Sequence, residues 1–204
     1  MKQIIQELLG LPIENCTPLS GTNFTESFKL ETAEGSYFLK YSEEKTEIFH
    51  REANSLRKIK STGAIDVAHV VAATEHFLLL DFIEVSRPQR NFFSHFGESL
   101  AELHKHTSSQ CGFFEDNFLG ATPQPNTNPN DLPWPSFFWE KRLLYQCQLG
   151  VKNGFIAPNL KKKIFQMKSV VLNLLHTEEP PSLLHGDLWN GWASPEKWDM
   201  VLSA

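Results

Sequence analysis

Three groups of side chains in this 204-residue chain have the types and spacing to do chemistry. The first is His185-Gly186-Asp187, which follows a short apolar run, Leu183-Leu184. That order reads as a buried strand end and a turn presenting one carboxylate, and turns on a rigid scaffold are common places for catalytic groups. The second is Lys40, in the strand-like stretch Tyr37-Phe38-Leu39-Lys40-Tyr41. The two-residue period of a strand puts Phe38 and Lys40 on one face and Tyr37 and Leu39 on the other. A lysine facing inward costs free energy unless it is paired. Glu52 is the expected partner, because it shares a helical face with Phe49, Ala53, Leu56 and Ile59; Glu47 is the competitor. The third group is the small polar turn Ser20-Gly21-Thr22-Asn23, whose backbone N–H groups could approach phosphate oxygens. Taken alone, a turn with a single glycine reads better as a plain hairpin turn.

These groups need a sheet, a helix and a turn to hold them, and the chain supplies candidates in order. Ile4, Ile5, Leu8 and Leu9 make the apolar face of a first helix closed by Gly10-Leu11-Pro12. Alternation in Phe24 to Leu30 and again around Tyr37 to Tyr41, with a turn at Ala33-Glu34-Gly35, predicts a hairpin. Helical spacing runs from Glu43 to Lys60, and strands are expected at Val67 to Ala72 and His76 to Ile83. Beyond Arg87-Pro88 the pattern becomes helical. Asn91 is placed to cap a helix with Phe93, Phe96, Leu100 and Leu103 on its face. Residues 121–136 hold five prolines and three asparagines, so no regular element is expected there, and a loop of that length suits a functional role. A second helix is expected from Ser136 to about Gly150. A third should start at Pro158, with Leu160, Ile164, Met167, Val171 and Leu174 on its face. The fold class expected is therefore α+β, with a small antiparallel-sheet lobe over residues 1–84 and a mainly helical lobe over 85–204.

Composition narrows the class. Hydrophobic residues make up 41%, enough for a sizeable core, and the net charge is −5. The densest basic cluster, Lys161-Lys162-Lys163, reads as a solvated helix face, so no nucleic-acid partner is expected. No apolar run reaches membrane-span length, and no membrane partner is expected. Cys16, Cys111 and Cys147 are odd in number and lack metal-site spacing, which fits a reducing cytoplasm. His104 and His106 face different sides of a helix and read as structural.

The stretch Ser182 to Trp192, SLLHGDLWNGW, resembles the catalytic loop of kinase-like phosphotransferases. Its HGDLW wording is similar to the fructosamine-3-kinase (ketosamine-3-kinase) family, whose loop reads HGDLW-x-G-N. The likeness continues through Leu100-Ala101-Glu102-Leu103-His104, Gly112-Phe113-Phe114, Asn117, Leu119-Gly120, Thr122-Pro123-Gln124, Trp134, Phe137-Phe138, Arg142-Leu143 and Gln146. It covers essentially residues 1–191.

The resemblance implies a two-lobe kinase-like fold and transfer of the γ-phosphoryl of ATP to the sugar 3-hydroxyl of a glycated amine, small or protein-bound, leading to deglycation. Asp187 would orient or deprotonate the hydroxyl. Lys40, held by Glu52, would grip phosphates under the turn Gly21-Thr22-Asn23. Asp81, Phe82 and Ile83 would form the hinge that pairs with the adenine edge. Trp189 and His185 would border the acceptor, with a core role for Trp189 equally open. Mg²⁺ is implied as well, yet its usual ligands do not carry over. The family's Asn falls at Trp192, Asn190 lies two positions early, and the Asp of the family's D-P-A segment would come about where the chain ends at Ser203-Ala204. The helical lobe is accordingly expected to lack its C-terminal part. The tail WASPEKWDMVL resembles a family hairpin. Two other readings stand beside the first: a nucleotide-binding protein with impaired catalysis, and an aminoglycoside- or choline-type phosphotransferase.

Overall fold

The computed structural model describes residues 2–19, 25–84, 90–175 and 179–186, together with the backbone of two short strands at 193–194 and 197–198. The chain divides into two compact units, Met1–Leu103 with Leu184–Ala204, and His104–Leu183. No described helix is long and apolar enough to cross a membrane.

The first unit is built on a five-stranded antiparallel sheet in the order β1-β2-β3-β5-β4. Its strands are β1 (Asn15–Pro18), β2 (Glu26–Thr32), β3 (Gly35–Tyr41), β4 (Val70–Ala73) and β5 (Phe77–Asp81). Helix α1 (Lys2–Leu9) precedes them and α2 (Ile48–Lys60) separates β3 from β4. The hairpin register pairs Phe28 with Leu39 and Leu30 with Tyr37. Those residues therefore share one face, where Ile5 and Ile13 join Leu30, Leu39, Phe77 and Leu79 in a core cluster. On the opposite face Ser27 pairs with Lys40, Lys29 with Phe38, and Phe38 with Leu80. Here α2 contributes Phe49, Ala53 and Leu56, all essentially without solvent exposure. The sheet is thus covered on both faces, by α1 and by α2, and not on one as a half-buried sheet would be.

Two sequence expectations shift here, and one strand is unexpected. Helix α2 begins at Ile48 and not at Glu43, because the Thr46 hydroxyl accepts the Ile48 N–H at 3.1 Å and ends the preceding turn. The last two strands are shorter than expected, with a register shift between Val70 and Ala72. Strand β1, exposed at all four positions, carries no alternating apolar signal.

Helix α3 (Phe92–His104) follows Asn91 directly, and Phe92, not Phe93, stacks on Phe96 at 6.3 Å between centroids. The second unit then holds a short hairpin, β6 (Asn117–Leu119) with β7 (Thr122–Gln124), and the helices α4 (Trp134–Phe137), α5 (Tyr145–Lys152), α6 (Pro158–Gln166) and α7 (Lys168–Leu174). A π-helical segment, Phe138–Leu144, joins α4 to α5. Residues 121–136 are therefore not free of regular structure. Pro123 lies opposite Phe118 in a two-stranded ribbon, where a missing inward donor is tolerated. The third expected helix is two, divided at Met167, and its expected apolar face is largely solvent-facing: Leu160, Met167 and Leu174 are all exposed.

The proline-rich loop is fixed by side chains that replace backbone partners. Asp116 accepts hydrogen bonds from the N–H groups of Asn126 (2.7 Å) and Thr127 (2.8 Å) and from the Thr127 hydroxyl (2.9 Å). Buried Asn126 donates to Asn117 Oδ1 at 2.6 Å and accepts from Arg142 Nη2 at 2.6 Å, while Arg142 Nη1 donates to the Pro125 carbonyl at 2.7 Å. Asn128 bridges the carbonyls of Cys111 and Leu132 and accepts the Leu132 N–H. Gly112, at φ +109°, lies against this loop, and a Cβ there would meet the Asn126 carbonyl oxygen at 2.2 Å.

Candidate active site

The strongest constellation joins β3 to α2. Lys40 lies on the α2-facing side of β3, and Glu52 lies on the buried side of α2 among Phe49, Ala53 and Leu56. Lys40 Nζ donates to Glu52 Oε1 at 2.6 Å. The lysine side chain is 18% exposed and the glutamate 9%, so the pair is largely withdrawn from water. In that setting one partner without the other would be strongly unfavourable. Glu47, the competing partner, instead pairs with Arg51 one helical turn on, at 3.0 Å on the surface. An ammonium held this way, with Phe38 and Leu80 beside it on the same face, is a fixed positive charge at the edge of an apolar surface. Such a charge can hold phosphate oxygens and keep them in place.

At the far end of the same face, β5 leaves the sheet through Asp81, Phe82 and Ile83. The Asp81 N–H donates to the His69 carbonyl at 3.0 Å and the Phe82 N–H to the Ser36 carbonyl at 3.1 Å. Both donors are thereby engaged within the protein. A ligand that pairs with this segment's backbone must use its carbonyls or the chain from Ile83 onward. His69 Nδ1 also lies 3.7 Å from Asp81 Oδ2, an exposed contact.

The segment leading to His185-Gly186-Asp187 departs from expectation. Ser182 makes an isolated bridge to Thr107, and the Leu183 N–H donates to the His106 carbonyl at 2.8 Å. Leu184 is exposed, so the apolar pair before His185 is not a buried strand end. Among the described residues that bridge is not continued into a ladder. His185 itself is buried, and Gly186 follows at φ +89°. Asp187, Trp189, and the turn residues Gly21, Thr22 and Asn23 lie outside the described residues, as do Asn190 and Trp192. The tail does form the expected hairpin, β8 (Ala193–Ser194) with β9 (Lys197–Trp198).

Among the described residues no three His, Cys, Asp or Glu side chains gather as a metal centre. Sequence reasoning gave no role to Lys29 or to the Asp116–Asn126–Arg142 set, of which it marked only Arg142, as part of the family likeness. Asparagine and aspartate recurring through a proline-rich stretch are the signal for the latter, since these side chains substitute for backbone partners in turns. Burial lowers the Arg142 pKa, with nearby Asp116 opposing it.

A profile described as fructosamine kinase matches residues 1–201. The chain is 36% identical over 184 residues to a Vibrio parahaemolyticus protein described as a "Probable ketoamine kinase". The match covers 85% of this chain and 61% of that relative's length. A solved structure from Haemophilus somnus 129PT, of a protein assigned as a fructosamine-3-kinase, superposes with a TM-score of 0.78 at 28% identity, covering 92% of this chain and 65% of the other. A second, similarly assigned and from Thermobifida fusca, gives a TM-score of 0.82 at 22% identity over 97% of this chain and 70% of the other, a likeness of fold.

Proposed function

The chain belongs to the fructosamine kinase family and has a kinase-like α+β fold, and on that premise we propose that it transfers the γ-phosphoryl group of ATP to the sugar 3-hydroxyl of a glycated amine. The observation that carries the reading is the Lys40–Glu52 pair at 2.6 Å, withdrawn from water between a strand and the following helix. That is the arrangement that holds α- and β-phosphates in kinases. Residues 1–84 hold the nucleotide and residues 85–204 belong to the acceptor side. The turn Gly21-Thr22-Asn23 covers the phosphates, and Asp81, Phe82 and Ile83 border the base.

In the transfer, the acceptor oxygen forms a bond to the γ-phosphorus as the bond to the β–γ bridging oxygen breaks. The hydroxyl proton passes to Asp187, and ADP leaves with the bridging oxygen. Lys40 neutralises phosphate charge and fixes its position, which accounts for most of what a protein contributes to such a step. His185 and Trp189 border the sugar. The acceptors are fructosamines or related ketosamines, free or on protein, and the transfer leads on to deglycation in the cytoplasm. Magnesium ordinarily accompanies ATP in kinase sites. The residues in hand do not supply its usual ligands, since Trp192 stands at the family's Asn position and the described residues gather no metal centre. No step is assigned to it.

One observation favours a second reading, nucleotide binding without transfer: Trp192 in place of that Asn. Incubating the protein with ATP and a low-molecular-weight fructosamine, followed by phosphorus NMR, separates the two. A new sugar phosphate that disappears in Asp187→Asn and Lys40→Met supports the kinase. ATP binding with no product supports the second reading, and product formation by Asp187→Asn would overturn the mechanism.

A further inference from the structure

Lys29 of β2 reaches the segment that leaves β5. It lies opposite Phe38, and Phe38 lies opposite Leu80, so two strand positions separate it from β5. Its ammonium meets side chains that come from the segment beyond β5. Lys29 Nζ is 4.6 Å from the centroid of the Phe82 ring, 3.0 Å from Glu84 Oε1 and 3.3 Å from Glu31 Oε1. One ammonium therefore covers the face of Phe82, pairs with the carboxylate two residues further on, and is anchored in turn by a carboxylate of its own strand. Hydrogen bonds to Glu84 and then Glu31 raise the Lys29 pKa above its ordinary 10.5. Glu84 is 74% exposed and does not hold itself in place by burial.

The backbone explains why this matters. With the N–H groups of Asp81 and Phe82 engaged by His69 and Ser36, the first donor of the segment without a backbone partner among the described residues is that of Ile83. Ile83 lies between the two residues that Lys29 holds. We propose that Lys29 is a positioning residue for a purine nucleotide: by gripping Phe82 and Glu84 it sets the Ile83 backbone in the orientation that meets the base. The proposal rests on the reading of residues 81–83 as the base-binding segment.

The experiment is calorimetric titration of the full chain and of Lys29→Met, Lys29→Arg and Glu84→Gln with ATP and with inorganic tripolyphosphate, beside a thermal melt of each. Methionine keeps the stem and loses the charge; arginine keeps both the charge and the aromatic contact. Lys29→Met is expected to bind ATP about fivefold more weakly, with tripolyphosphate binding and melting temperature unchanged. Lys29→Arg is expected to restore ATP binding, and Glu84→Gln to weaken it in the same direction by a smaller factor. Equal ATP affinity in wild type and Lys29→Met overturns the inference, as does equal weakening of ATP and tripolyphosphate, which would place Lys29 at the phosphates. Should Lys29→Met fail to fold, Glu84→Gln decides, because its exposed side chain is not part of the core. A wild-type chain that does not bind ATP would instead sink the reading of the segment itself.

Discussion

In the first unit Lys40 and Glu52 meet across an otherwise apolar join between β3 and α2. In the second, Asp116, Asn126, Asn128 and Arg142 meet a loop rich in prolines, and nearly every bond they make ends on that loop or its flanks. The second set does the work that a ladder would do where proline has removed backbone donors. The first set does no such work: the sheet and α2 are complete without it. An ammonium has three donors, and Glu52 is the hydrogen-bond partner of Lys40 among the described residues. A costly polar pair that the fold does not require is a better sign of chemistry than a costly polar set that the fold does require.

Substitutions can break that contrast. The largest effect is expected from Gly112→Ala, which puts a Cβ 2.2 Å from the Asn126 carbonyl oxygen at a φ of +109°. A loss of about 4 kcal/mol, read by urea unfolding, is expected from the strain and the displaced loop. Arg142→Ala leaves Asn126 Oδ1 and the Pro125 carbonyl without their donor and is expected to cost about 3 kcal/mol. Hydrogen exchange should rise around residues 111–132 while the β3 amides stay protected. Glu52→Gln is expected to cost less stability, about 2 kcal/mol, but to weaken ATP binding by about tenfold or more. If Glu52→Gln destabilises more than Arg142→Ala and leaves ATP binding intact, the contrast is reversed and the pair is structural.

Acid sharpens the comparison further. Burial tends to raise the Asp116 pKa, but the hydrogen bonds from Thr127 and Asn126 outweigh it, and the net value falls below the ordinary 3.8. A carboxylate with a depressed folded pKa contributes stability that is complete above the unfolded value and is lost as pH falls through the lower folded value. Asp116→Asn should therefore flatten the acid limb of the stability curve below about pH 4 and change little at pH 7 beyond a constant offset. The smallest effect is expected from Lys45→Ala. Its pair with Glu75, at 2.6 Å, is exposed on both sides, and the melting temperature should not move measurably.

The contrast also shows what could be read from the sequence. The hairpin, α2 and the Lys40–Glu52 partnership were legible because period-two and helical patterns each placed one charged residue on an apolar face. The α+β class followed from the same patterns. Strand β1 was not legible, since an edge strand exposed at Asn15, Cys16, Thr17 and Pro18 has no pattern to detect. The β6–β7 ribbon is held by Asn126 and Gln146 side chains reaching its backbone or neighbours, and such long-range bonds leave no periodic trace. The break at Met167 has neither proline nor glycine to announce it, and α6 and α7 show mostly exposed side chains. Of the expected site, Lys40, Glu52, Asp81, Phe82, Ile83 and His185 can be placed; Asp187, Trp189 and the Gly21–Asn23 turn fall outside the described residues.

The strand order β1-β2-β3-β5-β4 also bears on how the first unit assembles. Strands β2 and β3 close through a two-residue turn, with Thr32 opposite Gly35, and need no distant segment. Strand β5 can add to β3 only after the chain has travelled through α2 and the turn at Thr74, so its pairing closes a long loop. Local contacts form early and non-local ones late. The hairpin is therefore the expected nucleus, and α2 docks as the β3–β5 ladder closes over it. The Lys40–Glu52 bond would then appear late, after the rate-limiting step. Glu52→Gln should leave the refolding rate nearly unchanged and speed unfolding, so the pair would act on the lifetime of the folded unit and not on how quickly it forms.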